Sequence, residues 1–541
     1  MNDTGIPSTL PQELRQNRTL AGPGSSSAKQ ATHFWMRPTK PSSRHCREMR
    51  ERFSCRTVRW AVSSALMHMV MGGETEYAIS ARDGQGKVID QVTLLTRFLD
   101  HAKRTLGQTS TADRGRFLPN GGLLYLDSGL HMEWATPECT SPYDVVRFLA
   151  AGDRIIADLA TSMMRRWPEM GGIFCSRSNV DYLSKTLWAA HESYMHEIAP
   201  AALPAELIPF LASRVLLGAG GWDYRSPALR FTLSPRAHFI TQVSDRDSQY
   251  MRPLFHTKDE ALSRTGSHRL HVACSETLCS ETANILRFGT TALVLALVER
   301  GVRPGRDVGL VSPVGALHRF ALDPDFRARA VIANRRRLTA LEIQRHYLSC
   351  AESHLHDLQL PDWAERVCAL WRTTLDELEQ GPSRVEATLD WAIKRRLFIR
   401  RLASRGIEWA TLRTWDTALT RLEHVWHAAN SDEPFEIRLV LENHPTLTAE
   451  IHRLTPFVEC QGLSWSHLPE FMSARDELFE MDARFGALDA RGLFNILDAS
   501  GALRHRVPGL DVSAAVESPP QDTRARIRGE VVRRLSGAGT K

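Results

Sequence analysis

The stretch MGGETEYAIS at residues 71–80 decides how the rest of the chain is interpreted. It has the composition of a β-strand and places Glu74 and Glu76 two residues apart. Successive side chains of a strand alternate between its two faces, so both carboxylates project from the same face of a sheet. From the spacing alone, such a pair is as often part of a solvated strand face as it is a cation site. A cation site is an alternative because two carboxylates on one face repel each other unless a positive charge lies between them. Hard divalent cations that bridge phosphates are the usual occupants, so the stretch points to a metal–nucleotide site.

A second stretch, NGGLLYLDSGLHMEWATPEC at residues 120–139, adds three more acids behind the strand-like run LLYL. Taken one at a time, Asp127 is typical of a residue that ends a strand, and Glu133 and Glu138 are typical of surface acids. Five acids around two strands favour the metal site over these separate explanations.

Composition sets broad limits on the function. The 541 residues suggest two to four domains, and the 43% hydrophobic and 24% charged content is ordinary for a soluble globular protein. The net charge of +6 is small for this length and does not indicate nucleic-acid binding. Nine scattered cysteines without a CxxC pair favour a reduced, cytoplasmic protein. We find no apolar run long enough to span a membrane, and TTALVLALVE at 290–299 is predicted to be a buried core helix.

The order of the patterns predicts an α+β fold with an antiparallel-leaning sheet, which carries the carboxylates on one face and helices on the other. Residues 1–66 are predicted to be a disordered extension, 67–455 a catalytic domain and 456–541 a small C-terminal domain. Residues 107–119 are predicted to be a loop. Apolar periodicity predicts helices at 90–106, 142–166, 279–300, 338–357, 362–379 and 384–404.

Two further patterns carry candidate site residues. Arg269 and His271 in HRLHV share one strand face, as suits a phosphate contact and a metal ligand, although alone such a pair is more often a surface face. His191 and Glu192 in WAAHESYM are adjacent, and a lone pair of this kind is usually structural. The chain has no GxxxxGKS, no GxGxxG after a strand, no HExxH and no GxSxG.

Taken in order, these motifs resemble the family of the Pup ligase and the depupylase, which are carboxylate–amine ligases that share the glutamine synthetase catalytic fold. The resemblance covers roughly residues 68–541. The matching stretches are GGETEYAIS (72–80), NGGLLYLDSGLHMEWATPEC (120–139), AGDRI (151–155), HESYM (191–195), SPRAHF (234–239), RPLFHTKDE (252–260), HRLHV (268–272), FGTTALVL (288–295), RRLTALEIQRHYL (336–348), LDWAIKRRL (389–397) and PPQDTRARIRGE (519–530).

The resemblance implies a curved antiparallel sheet backed by helices and a small C-terminal domain. It implies ATP and Mg²⁺ as cofactors, a Pup-like small protein modifier and lysine-bearing target proteins as partners, and phosphorylation of the modifier's C-terminal glutamate before lysine attacks it. Asp127 would be the base that deprotonates the lysine. The metal ligands would be Glu74, Glu76, Glu133 and His271, with Glu138 as a further candidate. The candidate nucleotide-binding residues are Arg269, Tyr125, His191 and Glu192.

Within this family the spacing favours the ligase over the depupylase. The depupylase has a long insertion between its first two catalytic strands, whereas only 44 positions separate Glu76 from Asn120. A depupylase or deamidase, an amidoligase for another small protein or peptide, and a silent binding protein are the alternatives, and the intact acids argue against the last. The chain differs from the family's usual residues at Gly73, Ala78, Met132 and Trp134. These differences leave the identity of the modifier undetermined. Family members begin just before this first strand, so residues 1–66 are an extension or follow a misassigned start.

Overall fold

The computed structural model describes residues 69–106, 110–112, 115–245, 252–256, 267–430 and 433–537. These residues all belong to one compact unit, 65–541. The extension predicted at 1–66 lies almost entirely outside the described residues, so its disorder stays a prediction.

A ten-stranded sheet forms the centre of this unit. Its strands follow the order β10-β11-β12-β7-β1-β5-β4-β3-β2, with β6 pairing the second half of β1. Every pairing in it is antiparallel except that of β10 with β11, which agrees with the predicted α+β fold. The strands of the chain are β1 Met71–Asp83, β2 Ser110–Ala112, β3 Gly115–Phe117, β4 Leu123–Leu126, β5 Met132–Ala135, β6 Met170–Ser176, β7 Ala190–His196, β8 Gly221–Trp222, β9 Phe231–Thr232, β10 Gln242–Asp245, β11 Pro253–His256, β12 His268–Val272, β13 Ala330–Val331 and β14 Arg337–Leu338.

Several helices pack against this sheet, and helices continue to the C-terminal end of the described chain. They are α1 Gln91–Thr105, α2 Pro142–Arg166, α3 Leu203–Ser213, α4 Glu281–Glu299, α5 Pro313–Ala321, α6 Ala340–Leu358, α7 Trp363–Gln380, α8 Asp390–Ser404, α9 Leu412–Ala429, α10 Ile437–Leu441, α11 Pro445–Glu459, α12 Leu468–Phe485, α13 Leu493–Ala499, α14 Val512–Glu517 and α15 Ala525–Gly537. Helix α11 runs across residues 455 and 456, and the separate domain proposed from 456 onward stays a prediction.

Five of the six predicted helices agree with the observed ones to within two residues at each end, whereas the helix predicted at 384–404 begins only at Asp390. Helix α2 begins at Pro142, and Ser141 before it accepts a hydrogen bond from the Tyr143 backbone N–H at 3.2 Å. The prediction of a loop over 107–119 is wrong at β2 and β3, which are two short strands at one end of the sheet, with β2 as the edge strand. Their turn-rich, three-residue segments carry no alternation long enough to be recognised.

Helices α2 and α4 pack against one face of the sheet. The residue that permits this approach is Gly73 on β1, where an added Cβ would lie 2.7 Å from Phe288 of α4 and 3.3 Å from Leu149 of α2. Odd-numbered positions near the start of β1 therefore face the helices, and Glu74 and Glu76 face the opposite side. A larger residue at position 73 would force the two helices away from the sheet.

Two described segments, Pro200–Leu217 and Glu281–Glu299, are long and apolar enough to cross a membrane. However, 67% and 94% of their residues are buried inside the protein. Core helices of soluble proteins share this length and composition, so the two segments are weak evidence for a membrane span. The second segment contains residues 290–299 and agrees with the buried core helix predicted there.

Trp134 on β5 fills a space that two glycines leave open. Its indole is fully buried, and its Nε1 donates to the Phe148 carbonyl at 2.9 Å. An added Cβ would lie 2.2 Å from this indole at Gly152 and 2.3 Å from it at Gly122. The Trp134 indole can therefore occupy this buried position only because residues 122 and 152 are both glycine.

We expect Gly152→Ala to lower the free energy of unfolding by about 1–3 kcal/mol, although alanine favours a helix by about 1 kcal/mol. The reason is that the new methyl group overlaps a buried ring that has no room to move. Urea unfolding followed by tryptophan fluorescence measures the change. Gly172→Ala is the matched control, because nothing lies within 4 Å of its added Cβ, and an equal loss in both variants would contradict this account.

Candidate active site

The face of the sheet that lies opposite α2 and α4 collects most of the predicted site residues. The strand register sets Glu76 opposite Glu133 across β1 and β5, and Glu74 opposite His191 across β1 and β7. The neighbouring pairings set Tyr125 opposite Glu133 and His271 opposite Ser193. The predicted residues on this face are Tyr125, Glu133, Glu74, Glu76, His191, Arg269 and His271.

Glu74 lies between a histidine and an arginine. Its Oε2 is 3.1 Å from His191 Nδ1, and its Oε1 accepts from Arg269 Nη2 at 3.4 Å. Burial alone would raise the pKa of Glu74, but the hydrogen bond from His191 and the positive charges around the carboxylate, which include Arg269, outweigh it and lower the pKa to about 2. Glu74 is therefore a permanent anion at neutral pH.

Glu76 is held from two sides. Its Oε2 accepts from the Ala189 backbone N–H at 2.8 Å and lies 3.0 Å from His131 Nδ1. Burial would raise the pKa of Glu76, but the hydrogen bond from His131 and the charges of His191 and Arg236 outweigh it and lower the pKa. Because the same hydrogen bond favours the imidazolium, the pKa of His131 is raised against its own burial.

Glu133 is the most deeply buried carboxylate of this face. It is 3% exposed, and its Oε1 is buried without a hydrogen-bond partner among the described residues. Burial, followed by the charges of Glu74 and Glu76, raises its pKa well above the usual range. The oxygen lies 3.8 Å from His191 Nδ1, and a buried carboxylate oxygen without a hydrogen bond beside two other acids has the chemistry of a cation ligand.

The donor atoms form three overlapping groups, and within each group the atoms lie within 4.8 Å of one another. The groups are Glu74 with His191 and His271, Glu76 with Glu133 and His191, and Glu76 with Asp127 and His131. His191 thus lies among the candidate metal ligands rather than apart from them. The imidazole of His271 is suited to ligation, since burial and the nearby His191 lower its pKa well below the usual value and keep it neutral.

Asp127 lies in the turn that joins β4 to β5. Its backbone N–H donates to the His131 carbonyl at 3.0 Å, and the His131 backbone N–H donates to its Oδ1 at 2.6 Å. Leu130 completes the turn with a left-handed φ of 63°. Asp127 Oδ2 lies 3.9 Å from His131 Nδ1. The turn therefore fixes Oδ1 of Asp127 and leaves Oδ2 directed toward the acidic face.

Arg269 and His271 share a face of β12, as predicted, and are linked there. Arg269 Nη2 lies 2.9 Å from His271 Nδ1 and donates to Ser193 Oγ at 3.0 Å. Tyr125 borders the other end of the face, where burial and the charges of Glu74 and Glu133 raise its pKa and keep its hydroxyl protonated. The Tyr125 hydroxyl is hydrogen-bonded to Glu133 at one end of the acids, and the Arg269 guanidinium supplies donors at the other end.

Two predicted residues lie elsewhere. Glu192 points to the opposite side of β7 and is fully buried, where both of its oxygens accept from Arg214, at 2.6 and 2.9 Å. Glu138 pairs with Arg524 at 2.6 Å and with Arg528, both near the C-terminal end. Neither belongs to the three donor groups. We therefore leave Glu192 out of the proposed nucleotide contacts and Glu138 out of the proposed ligand set.

Sequence reasoning missed His131, which links Glu76 to the turn of Asp127. The signal was present in HMEW at 131–134, since a histidine two residues before Glu133 follows the same strand alternation. The hydrogen bond from the Ala189 backbone N–H to Glu76 could not be predicted from local sequence, because the two residues are 113 positions apart.

Comparison with protein families decides the relationship. The model of the Pup-ligase protein family matches residues 69–450 and 453–540. The chain belongs to the Pup-ligase protein family. The resemblance found in the sequence motifs is thereby confirmed.

Named relatives in this family are similar over most of their length. The Pup–protein ligase of Mycobacteroides abscessus is 29% identical over 484 residues, which cover 88% of this chain and 91% of the relative. Pup–protein ligase 1 of Rhodococcus erythropolis is 28% identical over the same shares.

Two solved structures show the same fold. One is the crystal structure of the complex between the prokaryotic ubiquitin-like protein Pup and its ligase PafA, with a TM-score of 0.65, 24% identity and coverage of 88% of this chain and 85% of that chain. The other is the Pup ligase PafA in complex with ADP, with a TM-score of 0.60, 22% identity and coverage of 84% and 86%. The predicted α+β fold class is confirmed by these matches.

Proposed function

We propose that this protein is an ATP-dependent ligase that joins the C-terminal glutamate of a Pup-like modifier to lysines of target proteins. One observation carries the proposal: Glu74, Glu76 and Glu133 meet on one sheet face in a member of the Pup-ligase family. The named relatives are Pup–protein ligases, and the two structural relatives were solved with ADP and with Pup. A silent binding protein would not need a buried carboxylate with an unpartnered oxygen.

Mg²⁺ is the cation that we assign to this face. The residues that would hold it are Glu74, Glu76, Glu133, His191 and His271. They fit, because Glu133 Oε1 lacks a hydrogen-bond partner among the described residues and three acids close together need a positive charge. When bound, Mg²⁺ would offset the charge of the ATP phosphates and of the transferring phosphoryl group.

The chain's own residues supply charge and position for the first step. The glutamate carboxylate of the modifier attacks the γ-phosphorus of ATP, which gives an acyl phosphate and ADP. Arg269, anchored by Ser193 and beside Glu74, contacts the transferring phosphoryl oxygens. Phosphoryl transfer needs little covalent chemistry from the protein, so orientation and charge neutralisation account for most of the acceleration.

Asp127 handles the proton of the second step. The lysine amine attacks the acyl carbon, phosphate leaves with the electron pair of the broken bond, and the amine proton passes to Asp127. The His131 backbone N–H holds Oδ1, so Oδ2 is the oxygen available as the base. The product is an isopeptide bond.

We place this reaction in the cytoplasm. The seven described cysteines are all free thiols, as expected in a reducing compartment.

The deciding experiment incubates the protein with Mg²⁺, ATP and a Pup-like protein that ends in glutamate, together with a lysine-bearing target. ATP turnover with a new isopeptide bond, detected by mass spectrometry, supports the ligase. Ammonia release from a modifier that ends in glutamine, without any conjugate from the glutamate form, would reject it in favour of a deamidase on the same fold.

We expect Glu133→Gln to raise the Mg²⁺ concentration for half-maximal activity by about tenfold or more, because one charged ligand is lost. The metal-free variant should melt at the same temperature or higher, since a buried acid beside Glu74 and Glu76 is removed. Its stabilisation by Mg²⁺ should be smaller than that of the unchanged protein. Differential scanning fluorimetry with and without Mg²⁺ measures both effects.

Glu169→Gln is the control, because Glu169 is exposed and lies in none of the three donor groups. The ligand assignment fails if Glu133→Gln keeps the Mg²⁺ dependence of the unchanged protein.

A further inference from the structure

The C-terminal segment contacts both ends of the hairpin that carries the proposed base. We call residues 117–122, which precede β4, the first foot, and residues 136–140, which follow β5, the second foot. Between them lie Tyr125, Asp127 and Glu133. Residues 515–529 reach both feet, although they are separated from them by more than 370 positions.

Close backbone approach fixes the first foot. Asn120, fully buried, donates from Nδ2 to the Ala515 carbonyl at 2.9 Å. An added Cβ at Gly121 would lie 3.1 Å from Ala525, and one at Gly529 would lie 2.3 Å from the Pro119 carbonyl oxygen. Helix α15 therefore lies directly against this foot.

Side-chain contacts fix the second foot. Glu138 accepts from Arg524 Nε at 2.6 Å and from Arg528 Nη2, and its carbonyl accepts from Thr523 Oγ1 at 2.9 Å. Thr140 donates to Asp522 in the same segment. The acid that the sequence suggested as a metal ligand thus anchors the C-terminal segment.

Arg528 reaches both feet with one guanidinium. Its Nη2 donates to Glu138 in the second foot, while its Nη1 donates to the Gly121 carbonyl in the first at 3.1 Å. The guanidinium lies 4.7 Å from the ring centre of Phe117, and the side chain is 23% exposed. A planar guanidinium with two donors in fixed directions sets the distance between two acceptors in a way that a lysine ammonium cannot.

We propose that Arg528 is a positioning residue that sets the spacing of the two feet and thereby the placement of Asp127 and Glu133. The need for such a clamp follows from the hairpin itself. Its strands β4 and β5 have four residues each. The long strand β1 holds it on the β5 side, but its neighbours on the β4 side, β3 and β2, have only three residues each and add few ladder hydrogen bonds. A displacement of about 1 Å at a catalytic group costs on the order of a hundredfold in rate.

The test compares Arg528→Ala with Arg533→Ala. Arg533 lies on the same helix, is exposed and donates to the Glu517 carbonyl, so it controls for loss of one arginine from α15. The consequence for activity rests on the proposed ligase function. We expect Arg528→Ala to lower kcat for conjugation by about 10- to 100-fold and to change the KM for ATP by less than about threefold. Arg533→Ala should keep both values.

Amide hydrogen exchange tests the clamp without any activity. Residues 123–135 should exchange at least about tenfold faster in Arg528→Ala, while α4 and α7 keep the protection of the unchanged protein. In Arg528→Lys, the exchange rate of residues 123–135 should lie between those of the unchanged protein and Arg528→Ala, because an ammonium retains the charge but lacks the planar, two-donor geometry of the guanidinium. Glu138→Gln keeps the shape and should reproduce part of the effect.

The proposal is overturned if exchange in residues 123–135 is unchanged in Arg528→Ala. It is overturned equally if exchange rises to the same degree throughout the chain, or if Arg528→Lys behaves as the alanine variant does. If the unchanged protein forms no conjugate, the ligase assignment fails, and the exchange comparison still decides the role of Arg528.

Discussion

Replacing Asp127 with asparagine is expected to lower kcat for conjugation by about 10²- to 10⁴-fold, the contribution typical of a general base. Asparagine retains an oxygen that accepts from the His131 backbone N–H, so the turn keeps its geometry. It has no carboxylate to take the proton from the attacking lysine. Formation of the acyl phosphate and binding of Mg²⁺ and ATP should persist, because neither uses this proton.

Two measurements separate these steps. Quenched-flow assays should show ADP formed in a first turnover at nearly the unchanged rate, with conjugate formation slowed. Asp158→Asn is the matched control, since its side chain is 73% exposed on α2, away from the acidic face. Loss of the ADP burst together with conjugation would show that Asp127 serves the metal site instead, as its place in the third donor group permits.

Replacing Glu192 with alanine is expected to lower the free energy of unfolding by about 3–5 kcal/mol. The change leaves the Arg214 guanidinium buried without its carboxylate, and a buried unpaired charge is costly. It also removes the acceptor of the Tyr194 hydroxyl, which donates to Glu192 at 2.6 Å. Urea unfolding monitored by circular dichroism measures the loss.

The surface pair of Glu352 with Arg372 provides the comparison, because both side chains are partly exposed and Glu352→Ala should cost less than about 1 kcal/mol. At a temperature where Glu192→Ala is still folded, its KM for ATP should equal that of the unchanged protein. A large rise in that KM without loss of stability would restore Glu192 to the nucleotide site.

The contrast between adjacent His191 and Glu192 shows what the sequence could predict. Strand alternation predicts that neighbours point to opposite faces, but it does not say which face is the site. That choice depends on the pairing of Glu74 with His191 across β1 and β7, and on the burial of Arg214 behind the sheet. Contacts of this kind join distant parts of the chain, so local patterns carry no trace of them.

Local sequence patterns were sufficient to predict elements that are stabilised by contacts between nearby residues, such as long helices. The bounds of α2 were predicted because its apolar residues recur with helical periodicity along the whole helix. The short strands β2 and β3 were missed because three residues give no period. The assignment of Glu138 to the metal failed to anticipate its arginine partners, which lie 386 and 390 positions away.

The pairing of the first half of β1 with both β5 and β7 limits how this part of the gene can change. Because Glu74 and Glu76 each face a fixed partner across the sheet, inserting or deleting one codon within residues 72–77 would turn the later side chains toward the helices. The carboxylates would then meet Phe288 and Leu149 instead of one another. Divergence in this strand is therefore restricted to substitution, and the unusual residues Gly73 and Ala78 are changes of that permitted kind.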